Sequence, residues 1–276
     1  KLAFHPQVDL ITTCLRYGWP IGRNPLAPPP AVTLNNHDGA NLFPVVMDEY
    51  IRKELQHGHI LGPFQVNPFK FPMGVSPIST RPKRNSKERR IIVNLSWPLG
   101  TGTSINAHIS NDFYLGFPVT FCLPVVDTLA WRIYQLGPFC LIFKKDLWKA
   151  FRQVPVCPGD WRLIGIFWNG ALYFNMSLPM GMTSSSFIMQ LISSALAELA
   201  SRESDSFIIV YVDDFVGADV PEKIWHSYHT LSEVFRKAGV KEAEDKSVPP
   251  MTQLEFLGVW FDTVAMTMSI TVERMA

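Results

Sequence analysis

Between residues 43 and 60 the apolar side chains Val46, Tyr50, Ile51 and Leu55 return at steps of three and four, with Asp48, Glu49, Arg52, Lys53 and Glu54 between them. That spacing puts them on one face, so the stretch is predicted to be an amphipathic helix ending near Gly58. Residues 183–203 repeat the pattern with Phe187, Leu191, Ala195 and Leu199, opened by the N-cap candidates Thr183 and Ser184. A third helix is predicted over residues 221–238, with Ile224, Tyr228, Leu231, Val234 and Phe235 on one face and Gly239 as its stop. Other runs are apolar without a helical period. Residues 90–95, 139–143 and 207–212 are predicted strands, and the last two lead to aspartates, 139–143 through Lys144-Lys145 and 207–212 directly, as buried strands with a polar end would.

Prolines divide what remains. Pro63, Pro68, Pro72, Pro77 and Pro82 exclude a long helix from residues 62–82 and leave room for short edge strands and turns. Residues 1–34 have a poor hydrophobic period and contain Ala27-Pro28-Pro29-Pro30, which reads as a lead-in with an extended, Pro-rich linker. Residues 254–261 and 266–272 are predicted to form a β-hairpin turning near Asp262-Thr263. The chain begins at Lys1 rather than Met and stops inside an ordered-looking stretch, so it is expected to be a piece of a longer polypeptide.

With 276 residues and 47% hydrophobic content, the chain can build one large domain or two modest ones. Its formal net charge is only +1, so affinity for a polyanion has to come from a local patch. Such a patch exists: Arg81, Lys83, Arg84, Lys87, Arg89 and Arg90 stand close together against the single acid Glu88. Taken alone it reads as a solvated basic turn. Cys14, Cys122, Cys140 and Cys157 are scattered, which fits a reducing compartment, and the seven histidines form no zinc-like cluster. There is no charge-free apolar run of membrane-spanning length and no secretory signal, so the expectation is an intracellular protein of cytoplasm or nucleus, neither secreted nor membrane-bound.

The chemistry centres on Tyr211-Val212-Asp213-Asp214, where a hydrophobic strand ends and Phe215-Val216 reads as the return strand of a tight hairpin. Adjacent aspartates on their own suit a turn. Here a further carboxylate, Asp146, also ends an apolar run, and neighbouring strands of one sheet would bring all three together. Three carboxylates at a sheet end suit two Mg²⁺ ions, hard cations that share their coordination sphere with phosphates. Asp146 and Asp213 would bridge the ions, Asp214 would complete the charge, and the Leu147 carbonyl would add a neutral ligand.

Three segments in this order resemble the palm motifs of reverse transcriptases: residues 144–155 (Lys-Lys-Asp-Leu-Trp-Lys-Ala-Phe-Arg-Gln-Val-Pro), residues 178–185 (Leu-Pro-Met-Gly-Met-Thr-Ser-Ser), and Tyr211-Val212-Asp213-Asp214. Residues 239–246 resemble the fourth motif, residues 255–260 the hairpin that grips the primer, and residues 82–96 the fingers hairpin over the incoming triphosphate. Within the family the sequence is most similar to the DIRS-type retrotransposon polymerases, which pair with a tyrosine recombinase. The resemblance covers most of the chain from about residue 34.

It implies an α+β right-hand polymerase fold with an antiparallel palm sheet: fingers over residues 35–123, palm over 124–276 with a fingers portion near 156–177, and neither thumb nor RNase H. The implied activity is RNA-directed DNA polymerisation, extending a primer on an RNA or DNA template with dNTPs and two Mg²⁺ ions, for which Mn²⁺ can substitute. Asp146, Asp213 and Asp214 become the catalytic carboxylates. Lys83, Arg90, Phe151, Gln153, Met180 and Gly181 are placed around the dNTP, with Arg90 on base and α-phosphate, Lys83 on the γ-phosphate, and Phe151 as the steric gate against a ribose 2′-hydroxyl. Arg152 would support the same pocket. Tyr211, Phe256, Leu257 and Gly258 would touch primer or template, and Lys246 would be the general acid for leaving pyrophosphate, although an exposed lysine is the plainer reading. Met180 stands where retroviral enzymes carry Gln, Ser186 replaces a frequent Pro, and Asn94 takes a place that is often Asp. The rival reading is an inactive or domesticated nucleic-acid-binding module, against which the intact Asp146, Asp213, Asp214, Arg90 and Phe151 argue. A second rival, an RNA-dependent RNA polymerase, is opposed by Phe151.

Overall fold

The structure, a computed structural model, describes residues 5–83, 86, 88–120, 123 and 126–270. Arg84 and Lys87 of the basic run and residues 271 and 272 of the expected hairpin lie outside them. In chain order come helices α1 (Val8–Tyr17), α2 (Asp38–Asn41) and α3 (Pro44–Gln56), then strands β1 (Ile60–Phe64), β2 (Ile78–Pro82) and β3 (Arg89–Val93). A short pair follows, β4 (Phe113–Tyr114) and β5 (Phe117–Pro118), and then helix α4 (Val126–Leu136) and β6 (Leu141–Asp146). Next are β7 (Gly165–Trp168), β8 (Ala171–Asn175) and the long helix α5 (Ser185–Ser204). The chain continues through β9 (Phe207–Tyr211), β10 (Asp214–Asp219), α6 (Pro221–Ala238), β11 (Val248–Met251), β12 (Gln253–Phe256), β13 (Val259–Asp262) and β14 (Thr267–Ile270).

These elements gather into two compact units. The first comprises Lys1–Val8, Phe121–Ala150 and Met189–Ala276, and the second Asp9–Thr120 with Phe151–Ile188. In the first, an antiparallel sheet runs in the order β11-β6-β10-β9. Side chains alternate across a strand, so β6 splits its residues between two faces. Ile142, with Val216 and Ala218 of β10, packs on Leu129 and Ile133 of α4 and on Leu254, Phe256 and Phe261. Phe143 and Phe215 face α6 instead, edge-on to Tyr228 and Phe235 at 5.4 Å and 4.9 Å between ring centroids. Opposite Phe143 in register is Gly217, where any Cβ would overlap the phenyl ring, so glycine there lets the ring lie across β10. Helix α6 has the predicted bounds. Pro221 occupies its first turn, and it stops at Gly239 (φ 71°), with the Gly239 and Val240 amides donating back to Arg236 and Phe235.

The predicted C-terminal hairpin is corrected to a three-stranded meander, β12-β13-β14. Leu257 (φ 51°) and Gly258 (φ 76°) form a two-residue turn between the paired Phe256 and Val259, because both central positions take the left-handed backbone that such hairpin turns require.

In the second unit β1-β8-β7 form one sheet and β2-β3 a separate hairpin. One expectation fails here. Residues 1–34 are no simple lead-in: they contain α1, and beyond it Trp19 and Ile21 are fully buried, with Trp19 bridging to Val156. The proline run is extended but fastened, since the Arg23 guanidinium donates to the carbonyls of Ala27 and Pro28, each at 2.6 Å, and Ala31 bonds Thr103. Helix α5 starts at Ser185, which puts Ser184, one of the two predicted caps, at its N-cap position. The Ser184 carbonyl accepts its early bond from Ile188, while the Ser184 hydroxyl is turned to the Ile21 carbonyl at 2.7 Å.

Candidate active site

Hairpin β9–β10 and strand β6 bring the predicted carboxylates to one end of the first unit's sheet. Asp214 stands opposite Asp146 across β10–β6 and opposite Tyr211 across the hairpin, leaving Val212 and Asp213 as the turn. Val212 sits at φ 58°, a region that a β-branched residue rarely adopts, whereas Asp213 keeps negative φ, the sign pattern of a type II′ turn. Gln190 of α5 holds that turn. Its Oε1 accepts the Val212 amide at 2.6 Å, and its Nε2 donates to the Val210 carbonyl at 3.1 Å and to the Ser194 hydroxyl at 2.8 Å.

The alternation of β6 places Lys144, Asp146 and, across the register, Asp214 on one face, with Lys145 on the other. Lys144 reaches Asp214 Oδ1 at 3.0 Å, and Lys246 reaches Asp146 Oδ2 at 2.7 Å, a bond that holds its ammonium above the ordinary lysine range. Asp213 is pushed up to about 6 by burial first, then by the charges of Asp146 and Asp214. That shift registers the charges of Asp146 and Asp214 close to the Asp213 carboxyl. Among the described residues no three His, Cys, Asp or Glu side chains converge as a ready ligand set. The donors nevertheless suit a hard cation: they are carboxylate oxygens in mutual repulsion, and lysine ammonium groups stand against two of them where positive charge is wanted. Leu147 is buried and bridges to Glu242. Of the residues expected to touch primer or template, Tyr211 is half-buried beside the carboxylates, and the Phe256 side chain is buried in the core, so the turn residues Leu257 and Gly258 are the ones presented.

The expected dNTP residues lie in the second unit. Arg90 is exposed on β3 directly opposite the exposed Arg81, and two like charges in register leave a place for an anion. Its neighbour Arg89 is structural, stacked 3.6 Å over the Phe43 ring and bonded to Thr80. Lys83 is paired with Glu88. Phe151 and Gln153 lie half-buried in a 3₁₀ turn, Ala150–Gln153. Arg152 in the same turn is bonded to Glu54 (3.1 Å), Tyr50 (2.6 Å) and Asn175 (2.6 Å), which anchors the turn that carries Phe151 and Gln153. Met180 is exposed, and Gly181 (φ 89°) has open space where a side chain would be. Asn106 fastens that loop, donating to the Gly181 carbonyl and accepting the Thr183 amide, both at 2.9 Å.

Sequence reading missed Gln190, Asn106 and Lys144. Only Lys144 carried a signal, since two residues before an aspartate on a strand means the same face.

Residues 129–261 match the family described as "Reverse transcriptase (RNA-dependent DNA polymerase)". Protein P of duck hepatitis B virus (strain Germany/DHBV-3) is 28% identical over 181 residues, 65% of this chain and 21% of that protein. Protein P of heron hepatitis B virus is 28% identical over 178 residues, 63% and 21% of the respective lengths. The chain thus spans about a fifth of the length of these curated relatives. Among solved structures, the foamy viral protease-reverse transcriptase in complex with double-stranded DNA superposes with a TM-score of 0.68 at 17% identity, covering 92% of this chain and 39% of that one. The prototype foamy virus protease-reverse transcriptase mutant gives 0.66 at 18%, covering 96% and 34%. The fold is therefore that of the retroviral polymerases, mixed helix and antiparallel sheet, and residues 129–261 are similar to the reverse transcriptase family.

Proposed function

We propose that this chain is the fingers and palm of an RNA-directed DNA polymerase that extends a primer on an RNA or DNA template with dNTPs. The observation that carries the reading is the register of β6 and β10, which sets Asp214 against Asp146 and hangs Asp213 at the adjoining turn. Asp146, Asp213 and Asp214, with the Leu147 carbonyl, are the residues that would hold two Mg²⁺ ions. Such ions, when bound, supply a lowered pKa at the primer 3′-hydroxyl and charge stabilisation at the departing pyrophosphate. The chain's own part is positional. Gln190 fixes the turn that carries Asp213, and Lys144 and Lys246 hold Asp214 and Asp146 in place. Arg90 is assigned to the triphosphate, Lys83 to the γ-phosphate once it leaves Glu88, and Phe151 to exclusion of the 2′-hydroxyl.

The deciding experiment is primer extension on poly(rA)/oligo(dT) by the polypeptide that contains this chain, with Mg²⁺ and then Mn²⁺. Extension by wild type and none by Asp213→Asn is the expected result. A wild type that binds the primer–template but adds no nucleotide with either ion would sink the reading.

Origin in a DIRS-type retrotransposon is part of the proposal and rests on the motif resemblance. A transcript carrying this chain without a tyrosine-recombinase reading frame would count against it. Free Cys14, Cys140 and Cys157 fit work inside the cell, in cytoplasm or nucleus, and no helix among the described residues is long and apolar enough to cross a membrane.

A further inference from the structure

Lys145 has no part in the reading above, yet it is 1% exposed and adjacent to Asp146. It points to the face of the sheet opposite the carboxylates, where its Nζ donates to Glu242 Oε1 at 2.6 Å and Ser232 Oγ at 2.8 Å and lies 3.5 Å from the centroid of the Tyr228 ring. Glu242 also accepts the hydroxyls of Ser232 and Ser247, each at 2.7 Å. Burial by itself would raise the Glu242 carboxyl, but the bonds from Lys145, Ser232 and Ser247 outweigh it and hold the group below its ordinary value.

Glu242 belongs to residues 240–247, the loop that follows α6, and that loop is stitched to the end of β6. The Trp148 amide donates to the Lys241 carbonyl at 3.0 Å, and the Ala243 amide donates to the Asp146 carbonyl at 2.8 Å. Four residues beyond Glu242 the same loop delivers Lys246 to the Asp146 carboxylate. The loop therefore wraps the end of the strand, gripped on one face through Glu242 and reaching the other through Lys246. A buried ion pair is a poor way to gain stability, because a methionine of similar length would fill the space under the sheet without desolvating two charges. What the pair supplies that methionine cannot is a fixed direction for the loop.

We propose that Lys145 and Glu242 are positioning residues, a clamp beneath the sheet that sets the loop 240–247 and with it the reach of Lys246 over Asp146. The consequence for turnover rests on the polymerase reading; the clamp itself does not.

Amide hydrogen exchange tests the clamp directly. In Lys145→Met, and in the milder Ser247→Ala and Glu242→Gln should Lys145→Met fail to fold, the amides of Trp148 and Ala243 should lose protection by about tenfold or more, while Ile209 and Val216 in the β9–β10 pair keep theirs. Unchanged protection at Trp148 and Ala243, or an equal loss at all four amides, overturns the proposal, the second because it marks plain destabilisation. In the full polypeptide, Lys145→Met should slow single-nucleotide addition on the order of ten- to a hundredfold, with affinities for dNTP and primer–template unchanged. Lys145→Met/Lys246→Ala should be no slower than Lys246→Ala, and multiplying losses would overturn the route through Lys246. If wild type adds no nucleotide at all, the polymerase reading fails, and the exchange experiment still decides the clamp.

Discussion

Replacing Asp213 by Asn takes one charge from the tip of the β9–β10 hairpin while keeping its shape, and the structure gives that change a pH signature. The Asp213 carboxyl rises from 3.8 to about 6 because it is buried and because Asp146 and Asp214 are charged beside it. A carboxyl that holds its proton more tightly folded than unfolded opposes folding once it must ionise. The penalty is absent below about pH 4, grows through the window from about 4 to 6, and stays constant above it. Its full size is about 3 kcal/mol, and about half of that is a fair figure for a carboxyl still partly open to water. Asn escapes the penalty at every pH. Without divalent ions, Asp213→Asn should therefore be more stable than wild type by about 1–2 kcal/mol at pH 8 and equal to it near pH 4. Urea unfolding followed by circular dichroism across that range measures the gap. A gap that does not change with pH, or a wild type that is the more stable protein at pH 8, would refute the electrostatic argument. Adding Mg²⁺ at pH 8 should close the gap by stabilising wild type alone. If the ion leaves wild-type unfolding where it was, the three carboxylates do not bind it.

The remaining expectations concern activity and the groups around the carboxylates. Asp146→Asn should abolish primer extension as Asp213→Asn does, and the double variant should be no worse than either, because residues acting as a unit are non-additive; a measurable further loss in single-turnover assays would separate their roles. Arg90→Ala should raise KM for dNTP and lower kcat with primer–template affinity spared, and a variant that loses duplex binding instead would mark Arg90 as a template contact. Phe151→Val should raise rNTP use relative to dNTP by orders of magnitude, checked by the ratio of the two kcat/KM values beside a thermal melt; an unchanged ratio in a well-folded variant would remove Phe151 from the sugar pocket. Gln190→Leu leaves the Val212 amide and the Val210 carbonyl without their side-chain partner, so about 1–2 kcal/mol of stability should go, together with most of the extension rate. Full activity in that variant would show that the turn holds Asp213 without help from α5.

What the sequence disclosed was mostly local. Helix α6 was readable because five apolar residues keep its period and Gly239 ends it, and β6 and β9 because apolar runs led through Lys144-Lys145 to Asp146 and through Val212 to Asp213. Helix α1 keeps a helical period of its own, but Gly18 and the proline run follow it closely and make residues 1–34 read as one extended lead-in. The turn at Leu257 was hidden for a different reason, since leucine is a poor advertisement for positive φ. The carboxylates were legible as strand ends, but what holds them was not. Lys145 and Glu242 are 97 residues apart, and nothing in either residue's neighbourhood announces the other. Gln190 likewise looked like one more helix position, and its meeting with the Val212 amide depends on how α5 packs.

The six register pairs that join β6 to β10, from Leu141 with Asp219 to Asp146 with Asp214, have a bearing on how this domain can vary over time. Faces alternate with every residue, so inserting or deleting a single position between Leu141 and Asp146 would carry the Asp146 carboxylate through the sheet to the side of Phe143 and Phe215, and bring a neighbour out in its place. Exchange of one apolar side chain for another at Ile142 or Val216 is a question of fit, and such changes can accumulate and be compensated nearby. A change in strand length admits no such gradual repair. Within this stretch, spelling is negotiable and counting is not, and an insertion scan should find it intolerant at every position, including those where substitutions pass unnoticed.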